Sequence, residues 1–145
     1  MADTDSKMFQ FDLVSPERVL ASEEAVQVVV PGEAGNFGVL AHHMPLLSTL
    51  RPGVVEVYNA EGKEPKKIFV AGGFADVADN QCTVLAEEAI AVEDLDAQPV
   101  LEQQIQDLTE DLERAGEDQI KATKIEKSIR VIKAKLQAVT GVLVA

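Results

Sequence analysis

The chain has no tryptophan, a single tyrosine, a single cysteine and few basic side chains, and each shortage excludes something. Aromatics are only 4% of the residues while 46% are hydrophobic, so a core has to be built from Val, Leu, Ile and Ala. One cysteine, Cys82, cannot form an internal disulfide, which fits a reducing compartment. Its setting, "QCTVLA", reads as a strand that buries an inert thiol. Only 13 Lys and Arg stand against 25 Asp and Glu, a net charge of −12. That balance speaks against a nucleic-acid surface, because binding phosphates requires clustered Lys and Arg. No apolar run approaches the roughly 20 residues that span a bilayer. The start, "MADTDSKMFQF", lacks the basic and apolar regions of a secretory signal. The sequence therefore reads as soluble and intracellular, able to work at a membrane when a partner holds it there.

What is present divides into two halves with different periods. Before Asp96, short β-type runs are separated by turn chemistry: "FQFDLVS", "RVLAS", "AVQVVV", "GVL", "LLSTL", "VVEVYN", "KKIFVA", "FADVA", "CTVLA" and "AIAVE". Phe9, Phe11 and Leu13 alternate with Gln10 and Asp12, as a half-buried strand requires, and Val26, Val28 and Val30 repeat the pattern. Ser15-Pro16, Pro31-Gly32, Arg51-Pro52-Gly53, Gly72-Gly73 and Asp79-Asn80 mark turns. About ten short strands in residues 1–94 predict an all-β sandwich or flattened barrel.

Residues 95–145 carry a helical period. Leu101, Ile105, Leu108, Leu112 and Ala115 line one face, and Ile125, Ile129, Ile132, Leu136 and Val139 line a second. Pro99 suits a first helical turn, Gly116 a left-handed stop, and Gly141 follows the second run. The short "AGED" connection predicts an antiparallel helical hairpin. Residues 97–115 hold five acidic side chains and one basic, a net of −4. Residues 118–139 hold six basic and two acidic, a net of +4. Exposed pairs contribute only about 0.2–1 kcal/mol each, so this split sets pairing preference more than stability. A two-helix hairpin buries little apolar surface against the ordering of its residues, which makes it a candidate moving part.

No catalytic constellation emerges. Gly32, Gly35 and Gly38 lack the lysine and hydroxyl of a phosphate-binding loop, and their spacing is not that of a dinucleotide fingerprint. His42 and His43 are adjacent, so on a strand they point to opposite faces and share no metal. Glu23-Glu24 and Glu87-Glu88 fall at strand ends and read as solvated. No cofactor or metal is expected. What remains is a surface: the glycines and Pro31 place Asn36 and Phe37 at a loop tip, with Phe37 either packed beneath it or held out for a partner. The adjoining "HHMPLL" supplies a polar-to-apolar edge, and binding fits this composition better than catalysis.

The stretch "PGEAGNFGVLAHHMPLLSTLRPGVVEV", then "FVAGGFADVADNQCTVLAEEA" and a charged helical hairpin, resembles the epsilon subunit of F-type ATP synthases. The resemblance runs from about Phe9 to Ala91 and extends to the hairpin. It implies a ten-stranded β sandwich followed by two helices, and a non-catalytic place in the central rotor stalk. The implied partners are the gamma subunit and the membrane c ring. The catalytic alpha and beta subunits would be reached through the hairpin, which in that family restrains ATP hydrolysis. The implied place is peripheral, on the cytoplasmic face of a bacterial energy-transducing membrane or the matrix or stromal face of an organellar one. Glu33, Gly35, Asn36 and Phe37 occupy the position of the family's c-ring contact, with Asn36 where an acidic residue is common. His43 matches the family's histidine, and Met44 continues its segment. Ala41 and His42 replace the usual proline and glycine, so a different turn is expected there. Lys121, Lys124, Lys127, Arg130 and Lys133 are the candidate regulatory cations of the second helix. Some members carry a nucleotide motif before the first helix. Here Leu95 and Asp96 fit it, but Pro99 replaces its arginine and Val100 its alanine, so of the charged pair Asp96 alone remains and weak or absent ATP binding is expected. The alternative from a different class is a free-standing β-sandwich ligand binder with a helical dimerisation tail.

Overall fold

A computed structural model describes residues 7–141. The protein divides into two compact units, one up to Ala91 and one from Val92 onward. The first contains ten strands: β1 (Phe9–Val14), β2 (Val19–Ala25), β3 (Gln27–Gly32), β4 (Gly35–Leu40), β5 (Leu46–Leu50), β6 (Gly53–Tyr58), β7 (Lys66–Val70), β8 (Gly73–Ala78), β9 (Gln81–Ala86) and β10 (Ala89–Ala91). Every predicted β run is a strand.

The strands pair in the order β10-β7-β6-β3-β5-β8-β9-β1-β2, with β4 paired to β3 off this path. All ladders are antiparallel except β1 with β9. β3 joins the two layers, pairing with β6 over Gln27–Val29 and with β5 only at Gly32. Val55 and Val57 of β6 lie in one buried cluster with Phe11 of β1 and Val84 of β9, strands far apart along the ladder. The sheet therefore folds over on itself as a sandwich. Period-2 alternation does this work: Phe9, Phe11 and Leu13 face in, while Gln10, Asp12 and Val14 face the other way. With so few aromatics, β-branched valines at Val28, Val30, Val39, Val55, Val57, Val70 and Val84 fill the interior.

Gly73 opens β8 where nothing larger fits. Its φ is 143°, and a Cβ there would collide with the Leu85 carbonyl oxygen. Of the acidic pair Glu23-Glu24, Glu24 is exposed as expected and Glu23 departs from the solvated reading. Both lie within β2, where the Glu23 carboxylate accepts from Lys66 Nζ at 3.1 Å and from Asn59 Nδ2 at 2.7 Å. The partners come from β7 and the end of β6, so tertiary proximity overrides the local sequence. Glu87 and Glu88 are exposed between β9 and β10.

The second unit begins with a 3-10 turn at Val92–Asp94 and continues as α1 (Gln98–Ala115) and α2 (Gln119–Thr140), packed on each other. Pro99 sits in the first turn of α1. Gly116 ends α1 with φ 60° and ψ −121°, outside the left-handed helical well expected of it. Asp118 caps α2 by accepting from the Lys121 N–H at 3.1 Å, and Gly141 closes it in the left-handed well. Among the described residues of this unit only Leu101, Ala122 and Leu136 are buried. Ile105, Leu108, Leu112, Ile125, Ile129 and Ile132 are half-buried on the expected faces. No described helix is long and apolar enough to cross a membrane.

Candidate functional site

The glycine-rich stretch forms the β3–β4 hairpin, and its tip is Glu33-Ala34 alone. This corrects the placement of Asn36 and Phe37 at a loop tip. Both lie in β4, Asn36 opposite Pro31 and Phe37 opposite Val30, because Gly35 already pairs with Gly32. Phe37 is half-buried and packs against the core. Glu33, Gly35 and Asn36 are exposed.

Arg51, which the sequence showed only as part of a turn, fastens this hairpin. Its N–H donates to the Pro31 carbonyl at 3.0 Å, and its guanidinium donates to the Gly32 carbonyl and to Asn36 Oδ1. Glu33 N–H reaches the Thr49 carbonyl at 3.0 Å. The neutral Asn36 amide is thus held by a cation, while the exposed Glu33 forms no ion pair among the described residues.

His42 and His43 occupy a turn between β4 and β5, closed by His43 N–H to the Leu40 carbonyl at 3.2 Å. His42 has φ 64°, a left-handed conformation in a residue other than glycine. His43 Nδ1 lies 2.6 Å from the Met44 carbonyl, and Met44 is 78% exposed.

Beyond this turn the outward face of the sheet carries a feature that the motifs did not reveal. Register places Thr49 opposite Phe74, Phe74 opposite Leu85, Leu85 opposite Val14 and Val14 opposite Val19. This row crosses β5, β8, β9, β1 and β2, and Phe74, Leu85 and Val19 are exposed along it. Leu47, 70% exposed, heads the neighbouring row of Asp76, Thr83, Asp12 and Ser22. There the Asp12 carboxylate accepts from Ser22 Oγ at 2.6 Å, Gln10 Nε2 at 3.0 Å and Gln81 Nε2 at 2.6 Å. The Ser22 bond, then those from Gln10 and Gln81, hold its pKa below the ordinary 3.8 against the opposing effect of burial. An apolar stripe thus lies beside a polar row whose Asp12 carboxylate accepts three side-chain hydrogen bonds. The signal was available: Asp76 and Thr83 share strand parity with Phe74 and Leu85, so that parity faces solvent.

The buried Cys82 thiol is pushed up to about 12, by burial first and by the Asp76 charge second. In the helical unit Lys121, Lys124, Lys127 and Arg130 are exposed and Lys133 is half-buried. Lys121, Lys124, Arg130 and Lys133 form no ion pair among the described residues. Asp96 lies before α1 and accepts from Gln104 Nε2 at 3.3 Å.

Residues 8–92 match the family described as "ATP synthase, Delta/Epsilon chain, beta-sandwich domain", and residues 96–144 match the family of the C-terminal domain of the ATP synthase epsilon subunit. The protein is 46% identical over 138 residues to the ATP synthase epsilon chain of Rhodospirillum centenum, covering 91% of this protein and 92% of that one. It is 47% identical over 119 residues to the epsilon chain of Rhodospirillum rubrum, covering 78% of this protein and 88% of that one. A subunit in the cryo-EM structure of Euglena gracilis mitochondrial ATP synthase (OSCP/F1/c-ring, rotational state 1) shares the fold. It has a TM-score of 0.76 at 22% identity over 88% of this protein and 79% of that one. Two matched domains in order and relatives aligned over most of both lengths show that this chain belongs to the ATP synthase epsilon family, non-catalytic subunits of that complex.

Proposed function

We propose that the protein is a central-stalk subunit that couples proton translocation to ATP synthesis by docking the gamma subunit and the c ring. The observation that carries this is the outward apolar row of Phe74, Leu85, Val14 and Val19, with Leu47 and Met44 exposed beside it. Burying a large apolar side chain gives roughly 1.5–3 kcal/mol, so a few of these side chains suffice to anchor a partner. Gamma takes the apolar row. The c ring takes the Arg51-fastened hairpin with Glu33, Gly35, Asn36 and Phe37, next to His43 and Met44. The subunit thereby works peripherally, on the face of the energy-transducing membrane where the catalytic head projects.

Adding the purified protein to an ATP synthase complex stripped of its own epsilon subunit tests this. Saturable binding and restored coupling of hydrolysis to proton pumping are expected, and absence of binding overturns the reading. In this reading residues 1–94 are the rotor-docking sandwich and residues 95–145 the regulatory hairpin. Truncation after Ala97 is expected to raise ATP hydrolysis by the assembled complex, because it removes the cations Lys121, Lys124, Lys127, Arg130 and Lys133 from reach of the alpha and beta subunits. An unchanged rate would show that the hairpin is no brake. The free protein is expected to bind Mg-ATP weakly or not at all in a calorimetric titration, since Pro99 supplies no charge for the phosphates and Asp96 is an anion. Micromolar affinity would contradict that.

A further inference from the structure

We infer that Asn80 is a positioning residue for the His42–Met44 turn, so that one edge of the docking surface is shaped from the β8–β9 hairpin. Asp79 and Asn80 form the two-residue connection of that hairpin, with Ala78 paired to Gln81 and φ values of 51° and 57°. Two left-handed residues define a type I′ turn, whose second position most favours glycine. Asparagine there is not the residue that turn conformation alone selects.

The side chain explains it. Asn80 Oδ1 accepts from the His42 N–H at 2.7 Å, and Asn80 Nδ2 donates to the Met8 carbonyl at 3.0 Å. The Asn80 backbone carbonyl accepts from Gln10 N–H at 3.2 Å. One residue therefore ties its own hairpin to the start of β1 and to a turn 38 positions earlier. A carboxamide is the short side chain that offers both the acceptor His42 requires and the donor Met8 requires; a carboxylate offers only the acceptor. His42 is itself left-handed without being glycine, a conformation that persists where the surroundings hold it. Its N–H is not used to close the turn, whose closing bond comes from His43. The bond from the His42 N–H to Asn80 Oδ1 holds that conformation, and with it the exposed Met44 two residues on. Loss of that bond adds an ordering cost to any partner that seats on the turn.

The link to docking rests on the reading under Proposed function, whereas the link between Asn80 and the turn does not. Asn80→Gly suits the type I′ turn, so the full protein is expected to remain folded. Asn80→Asp keeps the acceptor for His42. In the free protein, exchange of the His42 amide followed by NMR is expected to accelerate roughly tenfold or more in Asn80→Gly and to stay near wild type in Asn80→Asp. Affinity for the complex stripped of its own epsilon subunit is expected to fall about tenfold in Asn80→Gly and to be largely kept in Asn80→Asp. Unchanged His42 exchange in Asn80→Gly overturns the positioning role. Accelerated exchange with unchanged affinity overturns its bearing on docking. If wild type itself does not bind, the docking reading fails, and the exchange comparison still decides what Asn80 does.

Discussion

The sandwich and the helical hairpin bury their apolar residues in opposite ways. In the sandwich, Phe9, Phe11, Leu13 and eight valines point into a closed interior, and the strands are joined by backbone ladders. In the hairpin, three residues among the described ones are buried, and the apolar stripes of α1 and α2 are otherwise half-covered. Elements of the second kind draw their stability from what they pack against more than from themselves. Under the function proposed above, the sandwich holds the docking face still and partners decide the position of the hairpin.

The strongest way to break this comparison is to damage the sandwich. Gly73→Ala forces a Cβ into the Leu85 carbonyl at a φ of 143° and is expected to cost more than about 4 kcal/mol, seen as loss of soluble folded protein. Phe11→Ala is expected to cost about 3–5 kcal/mol in urea unfolding followed by the fluorescence of Tyr58, the only tyrosine. Cys82 offers a second probe: with its thiol buried and raised to about 12, it should resist alkylation in the native protein and react only on opening. Prompt labelling of the folded protein would contradict a closed core.

Next in size is the docking face. Phe74→Asp leaves stability within about 0.5 kcal/mol because the side chain points outward, yet should cost about 2 kcal/mol or more of binding to the stripped complex. Equal binding would remove the apolar row from the account. In the hairpin, Leu108→Ala is expected to cost only about 1 kcal/mol, read from helical circular dichroism, because Leu108 is half-buried. A loss as large as that of Phe11→Ala would erase the contrast between the units.

The smallest effect concerns Asp12. Its folded pKa is depressed, so its contribution is present above the unfolded value near 3.8 and is lost as pH falls through the folded value. Asp12→Asn should therefore lower stability by less than about 1 kcal/mol at neutral pH, with the difference from wild type vanishing below pH 3.8. A difference that grows toward acid would reverse the assignment.

All ten strands were legible because alternation and turn residues agreed locally, and both helices because a period of 3.6 ran uninterrupted from Leu101 and from Ile125. Asn36 and Phe37 were misplaced because glycine spacing suggests a wide loop, whereas pairing of Gly35 with Gly32 shortens the turn to Glu33-Ala34. The tertiary roles of Arg51 and Asn80 were not legible for a different reason. Each acts on a segment remote in sequence, and nothing local to "RPG" or "DNQ" announces a partner. The outward row was half-legible: parity with Asp76 pointed Phe74 outward, but the line of Phe74, Leu85, Val14 and Val19 exists only once four strands are in register.

By itself the sequence determined the two-part organisation, the Val-rich interior and the motifs of the family, because period, turn chemistry and composition are local properties of a polypeptide. Tertiary structure alone decided which residues meet: the parallel pairing of β1 with β9, the guanidinium on Asn36, the carboxamide beneath His42 and the apolar row. Those depend on register between distant strands, where a shift of one residue turns every side chain to the opposite face.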